Sequence, residues 1–419
     1  MRPAMRIAIR RGMDIRLAGA PVQSLGEVRP AGFAALLGRD YPGIRPHFLV
    51  EVGEAVVRGQ PLFVDRKRPD IAFTAPVSGT VADIARGARR MLDALVLRVG
   101  DAPPRRFDSI DPADPGALRQ LLLASGLWTA FRTRPFERLP DPGASPAAIF
   151  ITAIDTAPLA ADPALVISAN ETAFRAGVEA LGHLTEGPVF VCQAPGAPLA
   201  PEAGRIRVAE FAGPHPAGLP GTHIHHLMPA SAARSVWHIG YQDVIAIGLL
   251  LATGELWGER IVSLAGPAVR RPRLVHVAPG ADIDELASGG NVTPDAALLS
   301  GSILHGHSSR FLGRYHTQVT ALAPRSGDGR LGDALRWLLR RRPHDAILPV
   351  TAYERVMPLG LLPVPLLRAL AVGDVETAER LGCLELAEDD LALLNYVCPT
   401  GTDYGPLLRH ALDEIGEAA

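Results

Sequence analysis

The chain has 419 residues, 47 % of them apolar and 21 % charged, a composition that excludes disorder and is long enough for roughly two to four domains. Its formal net charge is −2 with acids and bases interspersed, which argues against a nucleic-acid partner. Lys67 is the one lysine, outside any glycine-rich loop, and Cys192, Cys383 and Cys398 are the only cysteines, so a Walker-type site and a disulfide framework are both excluded.

Residues 6–10 alternate as a first strand. From residue 45 onward, glycine turns at Gly53, Gly59 and Gly79 separate short alternating strands. This stretch resembles the flattened sandwich of biotinyl and lipoyl carrier domains, in which Lys67 would be the prosthetic-group lysine. Lys67 follows Gly59 by eight residues, closer than the lipoyl pattern, and its neighbours Arg66, Arg68 and Pro69 do not fit that pattern either. The expectation is a scaffold: an N-terminal β region, residues 1–102, containing a lipoyl-like β-sandwich with a solvated basic tip.

Pro103 and Pro104 mark a linker, and residues 116–125 predict a leucine-rich helix ending near Gly126. Trp128, Phe131 and Phe136 then interleave with Arg132 and Arg134, either as a buried aromatic anchor between domains or as a slot for a planar ligand. Apolar strands at 147–154, 188–192 and 205–211 alternate with a helix at 171–181, which predicts a Rossmann-like α/β domain with a mainly parallel sheet in residues 103–258. No glycine fingerprint follows any of these strands, so the dinucleotide site is absent from its expected place. Asp155, after the first of them, reads as a turn cap.

The span 211–267 is the centre of the chain. Gly213, Gly218 and Gly221 predict an irregular loop ahead of His223 and His225, which share a face if the backbone is extended. No cysteine or carboxylate joins them at metal-ligand spacing, and the same holds for His305 and His307, so hydrogen-bonding or ligand-contacting roles are expected rather than a metal site. Tyr241 and Asp243 open an apolar run, 244–252, closed by Gly254: a buried helix with acid at its N-terminus. That run is too short to span a bilayer, and the N-terminal MRPAMRIAIRRG lacks a signal-peptide core, so a soluble cytoplasmic chain is expected. A strand at 260–265 follows, and the junction of loop, helix and strand is a favoured ligand crevice. No serine elbow, HExxH or cysteine nucleophile motif is present.

Residues 273–286 read as strand, Pro279-Gly280 turn and short acidic helix, resembling the soluble-ligand-binding β-grasp module, expected over 259–325. A GxGxxG match at 327–332 follows Pro324, Arg325 and Ser326 instead of a strand and reads as a loop. The remainder, 326–419, is a helical domain with helices at 363–371, 375–381, 387–396 and 404–415. Cys383 and Cys398 bracket one of them, and Cys192 lies in another domain, so four thiolates for an iron–sulfur cluster are missing.

The segments GMDIRLAGAP, LLGRDYPGIRP, FTAPVSGTV, SGLWTAFRTRPF, FAGPHPAGLPGTHIHHL, YQDVIAIG, VSLAGP, LGRYH, YERVMPL and LGCLELAEDDLAL, in this order, resemble the NqrA family of the sodium-translocating NADH:quinone reductase, the Nqr complex. The resemblance implies a fold like the flavin subunit of respiratory complex I. It also implies a peripheral subunit, without a transmembrane helix, on the cytoplasmic face of the bacterial inner membrane. That complex couples NADH oxidation and ubiquinone reduction to sodium export. Partners would be the other Nqr subunits, the membrane ones especially, and neither flavin nor an iron–sulfur centre would be bound by this chain. Between His316 and Tyr353 the chain is shorter than the family pattern by some tens of residues. A ubiquinone contact is expected where donors meet aromatics: His223, His225, Tyr241 and Asp243, with Trp128 and Phe131 as a wall. The alternatives are a docking subunit of purely structural role and a divergent soluble ligand-binding or carrier protein outside the pump.

Purified protein is expected to show no flavin absorbance, no iron, and an intact mass with Lys67 unmodified. Stoichiometric flavin, or a mass heavier by a lipoyl or biotinyl group, would contradict this reading.

Overall fold

The computed structural model describes residues 5–87, 91–323 and 347–418. The glycine motif at 327–332 and most of the shortened segment lie outside them. After β1 (Met5–Ala8), strands β2 (Phe33–Leu37), β3 (Pro46–Phe48), β4 (Ala55–Val56), β5 (Pro61–Asp65), β6 (Arg68–Thr74), β7 (Gly79–Arg86) and β8 (Leu92–Val99) build the expected sandwich from a β2-β8-β7-β4 sheet and a β3-β5-β6 sheet. Alternation sends Phe63, Ile71, Phe73, Leu95 and Leu97 between the sheets, where Phe63 stacks on Phe73 at 4.5 Å. At the β5–β6 tip, buried Asp65 accepts the backbone N–H groups of Arg45 and Lys67, both at 3.2 Å. Arg68 donates to Asp65 Oδ2 at 3.2 Å and to the Leu139 carbonyl at 2.9 Å. The tip is therefore anchored on the next domain and the Lys67 side chain points to solvent.

Helix α1 (Pro115–Ser125) is capped by Asp114 and stopped by Gly126 at φ 81°. The second domain's sheet contains β9 (Arg132–Arg134), β10 (Ile149–Ala153), β11 (Val189–Gln193), β12 (Ile206–Ala212) and β13 (Val236–Gly240), in the order β1-β12-β11-β10-β13-β9, with only β9 antiparallel. The continuous apolar strands match a parallel sheet covered on both faces. Helices α2 (Pro163–Ala169), α3 (Glu171–Leu181), α4 (Pro220–Leu227) and α5 (Tyr241–Thr253) accompany it. The α3–α5 contact depends on two glycines: a Cβ at Gly177 would stand 2.1 Å from the Val244 carbonyl oxygen, and one at Gly248 would stand 1.8 Å from that of Ala173. Backbone thus meets backbone where larger residues would separate the helices.

The third sheet, β14 (Arg260–Ala265), β15 (Arg273–Val277), β16 (Ala297–Ser300), β17 (His307–Ser308) and β18 (Gln318–Leu322), runs β15-β14-β18-β16-β17, with β14 parallel to β18. Asp282 caps the short acidic helix α6 (Ile283–Ala287). The C-terminal region packs α7 (Thr351–Val356), α8 (Pro363–Val372), α9 (Val375–Arg380), α10 (Ala392–Val397) and α11 (Gly405–Ala418) around one core. The single helix expected at 387–396 is divided into a 3-10 turn, Glu388–Leu391, and α10. At the start of the turn, Asp390 reaches back to accept the Ala387 N–H at 2.8 Å while receiving Arg134 at 3.2 Å.

Within the expected N-terminal region, residues 1–102, the beginning of the chain reaches outside the sandwich. Strand β1 pairs in parallel with β12 of the second domain, Met13, Ile15 and Leu17 pack on the C-terminal core, and Val22 and Val28 bridge to β15. Period-2 alternation reveals a strand, but not which sheet receives it.

Gly248→Ala is expected to lower unfolding stability by about 1–3 kcal/mol, because the added methyl must displace the α3 backbone. Chemical denaturation followed by circular dichroism tests this; a loss below about 0.5 kcal/mol, the level of an ordinary surface substitution, would contradict the close-packing account.

Candidate functional site at the three-domain junction

A hydrogen-bonded pair between chain segments fixes the start of α5 on β14: Gln242 donates to the Ile261 carbonyl at 2.7 Å and accepts the Ile261 N–H at 2.9 Å. This places Asp243, one residue on, beside Arg260. The Asp243 Oδ1 atom accepts from Arg260 at 2.9 Å and from Arg314 at 2.8 Å. Burial by itself would push the Asp243 carboxyl up, but the Arg314 and Arg260 guanidiniums outweigh it and hold the group below the usual carboxylate value. The Arg314 backbone N–H donates to Asp40 Oδ2 at 2.8 Å, which brings in the sandwich domain. Asp40 is raised instead: burial dominates over that N–H and the charge of Arg132. Arg132 lies over the Tyr315 ring at 4.1 Å, and the Tyr315 hydroxyl donates to the Thr129 carbonyl at 2.8 Å. Behind Arg314, the Gly313 N–H donates to Ser300 Oγ at 2.8 Å, and Ser300 is within 2.7 Å of His316 Nδ1.

Asp40, Asp243, Glu259, Arg260 and Arg314 form the charged side of a crevice enclosing about 820 Å³, its open mouth included. Leu36, Phe73, Leu127, Leu256 and Trp257 contribute apolar wall, so the sandwich, the linker after α1, helix α5 and the β-grasp sheet all meet there. A narrow apolar space with a fixed pair of guanidiniums suits a flat ligand carrying an electron-rich oxygen.

Of the six residues expected to form a site, Asp243 alone lines this crevice. His223 and His225 are not on a loop or strand: Pro220 occupies the first turn of α4, and residues two apart on a helix point to nearly opposite sides. His223 is fully buried, its Nε2–H donating to the Ala217 carbonyl at 2.9 Å, its ring 4.3 Å from Phe211, and its pKa pushed down to about 3 chiefly by burial. His225 faces the C-terminal domain. Its Nε2 accepts the Gly360 N–H at 3.2 Å, so Nδ1 carries the proton given to Glu385 at 2.7 Å. The buried Tyr241 hydroxyl accepts from Gln242 at 3.3 Å and meets neither histidine. Trp128 and Phe131 are fully buried with Trp237, ring centroids 5.3–5.5 Å apart, and Trp128 donates to the Pro140 carbonyl. They form the aromatic anchor rather than a ligand wall. Arg134 is likewise buried, bridging Asp390 and Glu137 beside His238.

Sequence reading missed Asp40, Arg260, Arg314 and Trp257 as site residues. The available signal was the pair of polar segments LGRDY and LGRYH, which share a Leu-Gly-Arg step and hold Asp40 and Arg314. Elsewhere, Ser302 Oγ lies 3.1 Å from His305 Nδ1, and the rings of His305 and His307 lie 5.8 and 5.1 Å from His316. Among the described residues no set of three His, Cys, Asp or Glu side chains has a metal-holding arrangement, and no helix is long and apolar enough to cross a membrane.

Three protein-family models match the chain: the NqrA N-terminal barrel-sandwich hybrid domain over residues 7–100, the NqrA second alpha/beta domain over 113–256, and the NQRA C-terminal domain over 261–310. The NqrA subunit of the Na(+)-translocating NADH-quinone reductase of Pseudomonas aeruginosa (strain UCBPP-PA14) is 45 % identical over 444 residues, covering 98 % of this chain and 99 % of that protein. The corresponding subunits of Cellvibrio japonicus and Shewanella amazonensis are 46 % and 44 % identical with the same coverage. Among solved structures, an NAD+-reducing [NiFe]-hydrogenase aligns with a TM-score of 0.41 and 13 % identity over 73 % of this chain and 61 % of that one. With identity above 40 % along nearly the whole of both sequences, the chain belongs to the NqrA family, a subunit of the Na(+)-translocating NADH-quinone reductase.

Proposed function

We propose that this subunit supplies part of the quinone contact of its complex at the three-domain crevice, and that it does so as a peripheral chain without flavin or iron–sulfur centres of its own. The observation that carries the reading is the fixed Arg260–Asp243–Arg314 cluster at the polar side of an apolar slot. A quinone ring fits against Phe73 and Trp257, and a guanidinium N–H left over from Asp243 donates to a ring carbonyl. As the ring takes up electrons, negative charge grows on that oxygen. A cation already held in place stabilises it without reorganising. Asp243 keeps both arginines oriented, so it acts as a positioning residue.

The other Nqr subunits are partners by virtue of the family. Docking on the membrane subunits at the cytoplasmic face, with NADH oxidised on a different subunit, completes the proposal. A purely structural role is the competing reading, and quinone titration separates the two.

Short-chain ubiquinone is expected to quench Trp257 fluorescence saturably, with Trp257→Phe losing most of the signal. Arg314→Met should weaken binding by about 1.5–3 kcal/mol, the range for a hydrogen bond to a charged group. His223→Ala, His225→Ala and Tyr241→Phe should leave affinity unchanged. Unaltered affinity in an Arg314→Met variant that still folds would remove the site from this crevice, and absence of saturable binding by the wild type would favour the structural role.

A further inference from the structure

The carboxyl groups of Asp243, Glu259 and Asp40, which all line the junction crevice, are held in different ways. Asp243 receives the Arg260 and Arg314 guanidiniums and is thereby kept ionised. Glu259 lies within 2.8 Å of His276 Nδ1, and its side chain is 43 % exposed to water. Asp40, which closes the turn Gly38–Asp40 after β2, is held by backbone instead. Arg314 spends its guanidinium on Asp243 and gives the Asp40 carboxyl only its main-chain N–H, while Arg132 donates to the Asp40 backbone carbonyl. Arg39 is exposed, and burial keeps the neighbouring phenols of Tyr41 and Tyr315 neutral. Among the described residues no guanidinium stands at ion-pair distance from the Asp40 carboxyl.

That arrangement decides where a proton sits. A buried carboxyl without an ion pair favours its neutral form, and Asp40 is accordingly raised above the usual carboxylate range. Its Oδ2 accepts the Arg314 N–H at 2.8 Å, so the proton of the neutral group belongs on Oδ1. Oδ1 takes no hydrogen bond from the described residues and lies beside Gly313, where a Cβ would stand 3.4 Å from it. Gly313, Arg314 and Asp40 all line the crevice, which puts this O–H on the same wall as the fixed guanidinium. The charge balance points the same way. With every group ionised, Asp40, Asp243 and Glu259 would outnumber Arg260 and Arg314, whereas a neutral Asp40 balances the wall and lets it accept the negative charge of a reduced ring.

We propose that Asp40 is the acid that protonates a carbonyl oxygen of the quinone, a role that rests on the quinone reading of this crevice. Conversion of a quinone to a quinol takes up two electrons and two protons. The electrons come from NADH, the reductant named in the activity of the complex. As they enter the ring, an O–H bond forms on the quinone oxygen and the Oδ1–H bond of Asp40 breaks, leaving a carboxylate. Solvent at the open mouth returns a proton to Asp40 and supplies the second proton to the other quinone oxygen. Arg314 stabilises the developing charge and Asp40 removes it.

Asp40→Asn separates proton donation from support of the fold. The amide oxygen still accepts the Arg314 N–H and the amide nitrogen still donates to a quinone oxygen, but the acid proton is gone. In the intact Nqr complex carrying this variant, short-chain ubiquinone should bind within about threefold of the wild-type affinity. The NADH-reduced complex should nevertheless reduce it at least about tenfold more slowly in a single turnover, since a positioned acid contributes about a hundredfold or more and solvent at the mouth replaces part of that. Asp40→Ser, which keeps an acceptor oxygen for the Arg314 N–H but no acid, should be slowed likewise and covers the case in which Asp40→Asn does not fold. Unchanged rates in these variants with quinone still bound would overturn the donor role and leave the quinone reading standing. A loss of affinity as large as the loss of rate would also overturn it, by making Asp40 a binding group alone. Absence of saturable quinone binding by the wild-type complex at this crevice would end the quinone reading itself, and the donor role with it.

Discussion

A single buried carboxylate, Asp243, holds two arginines from the neighbouring domain, and the junction is arranged around that triad. Arg260 opens strand β14 and Arg314 follows the turn that meets Asp40 of the sandwich, so three domains converge on one charge cluster. Such a cluster is a poor source of net stability, since each charge loses its water. Removing one member from a buried pair, however, commonly costs about 3–5 kcal/mol, because the other is left uncompensated. The cluster therefore fixes geometry: the domains must approach with Asp243, Arg260 and Arg314 in register. A crevice walled by rigid elements and lined by already oriented cations is the consequence.

The N-terminal segment reinforces that arrangement from outside. In about twenty-five residues it adds a strand to the α/β sheet, packs Met13, Ile15 and Leu17 on the C-terminal helices, and bridges to the edge of the β-grasp sheet. The Arg134–Asp390 contact ties the α/β sheet to the C-terminal region on another side. Domains that are consecutive in the chain are thus held by interactions that are not, which explains how the crevice keeps one shape with walls from four segments. The family to which the chain belongs works as one component of a multisubunit machine, and a rigid multidomain body suits a docking part.

Much of the fold was legible because its signals are local. Asp114 and Gly126 bound α1, Gly254 ends α5, and the strand at Arg260–Ala265 has the expected limits. The apolar strands and their intervening helices identified a parallel sheet before its order was known. Local signals failed where a distant partner decided the outcome. Asp390 is held by Arg134 from more than two hundred residues away, and β1 pairs with a sheet assembled much later in the chain. His223 and His225 misled for a different reason: alternate spacing suggests one face on a strand, but Pro220 starts a helix and sends them apart. The crevice residues Asp40, Arg260 and Arg314 each look like ordinary surface charges in sequence, and only folding makes them neighbours. Asp243 was recognisable because an acid at the start of an otherwise apolar helix is unusual.

Hydrogen exchange measured with and without a short-chain ubiquinone tests most directly whether the junction crevice is where this chain meets quinone. The account predicts slowed exchange confined to the crevice walls, around residues 36–41, 126–129, 256–260 and 312–315, with α4 unaffected. Protection centred on α4 and the Tyr241 turn, or none anywhere at saturating quinone, would contradict it.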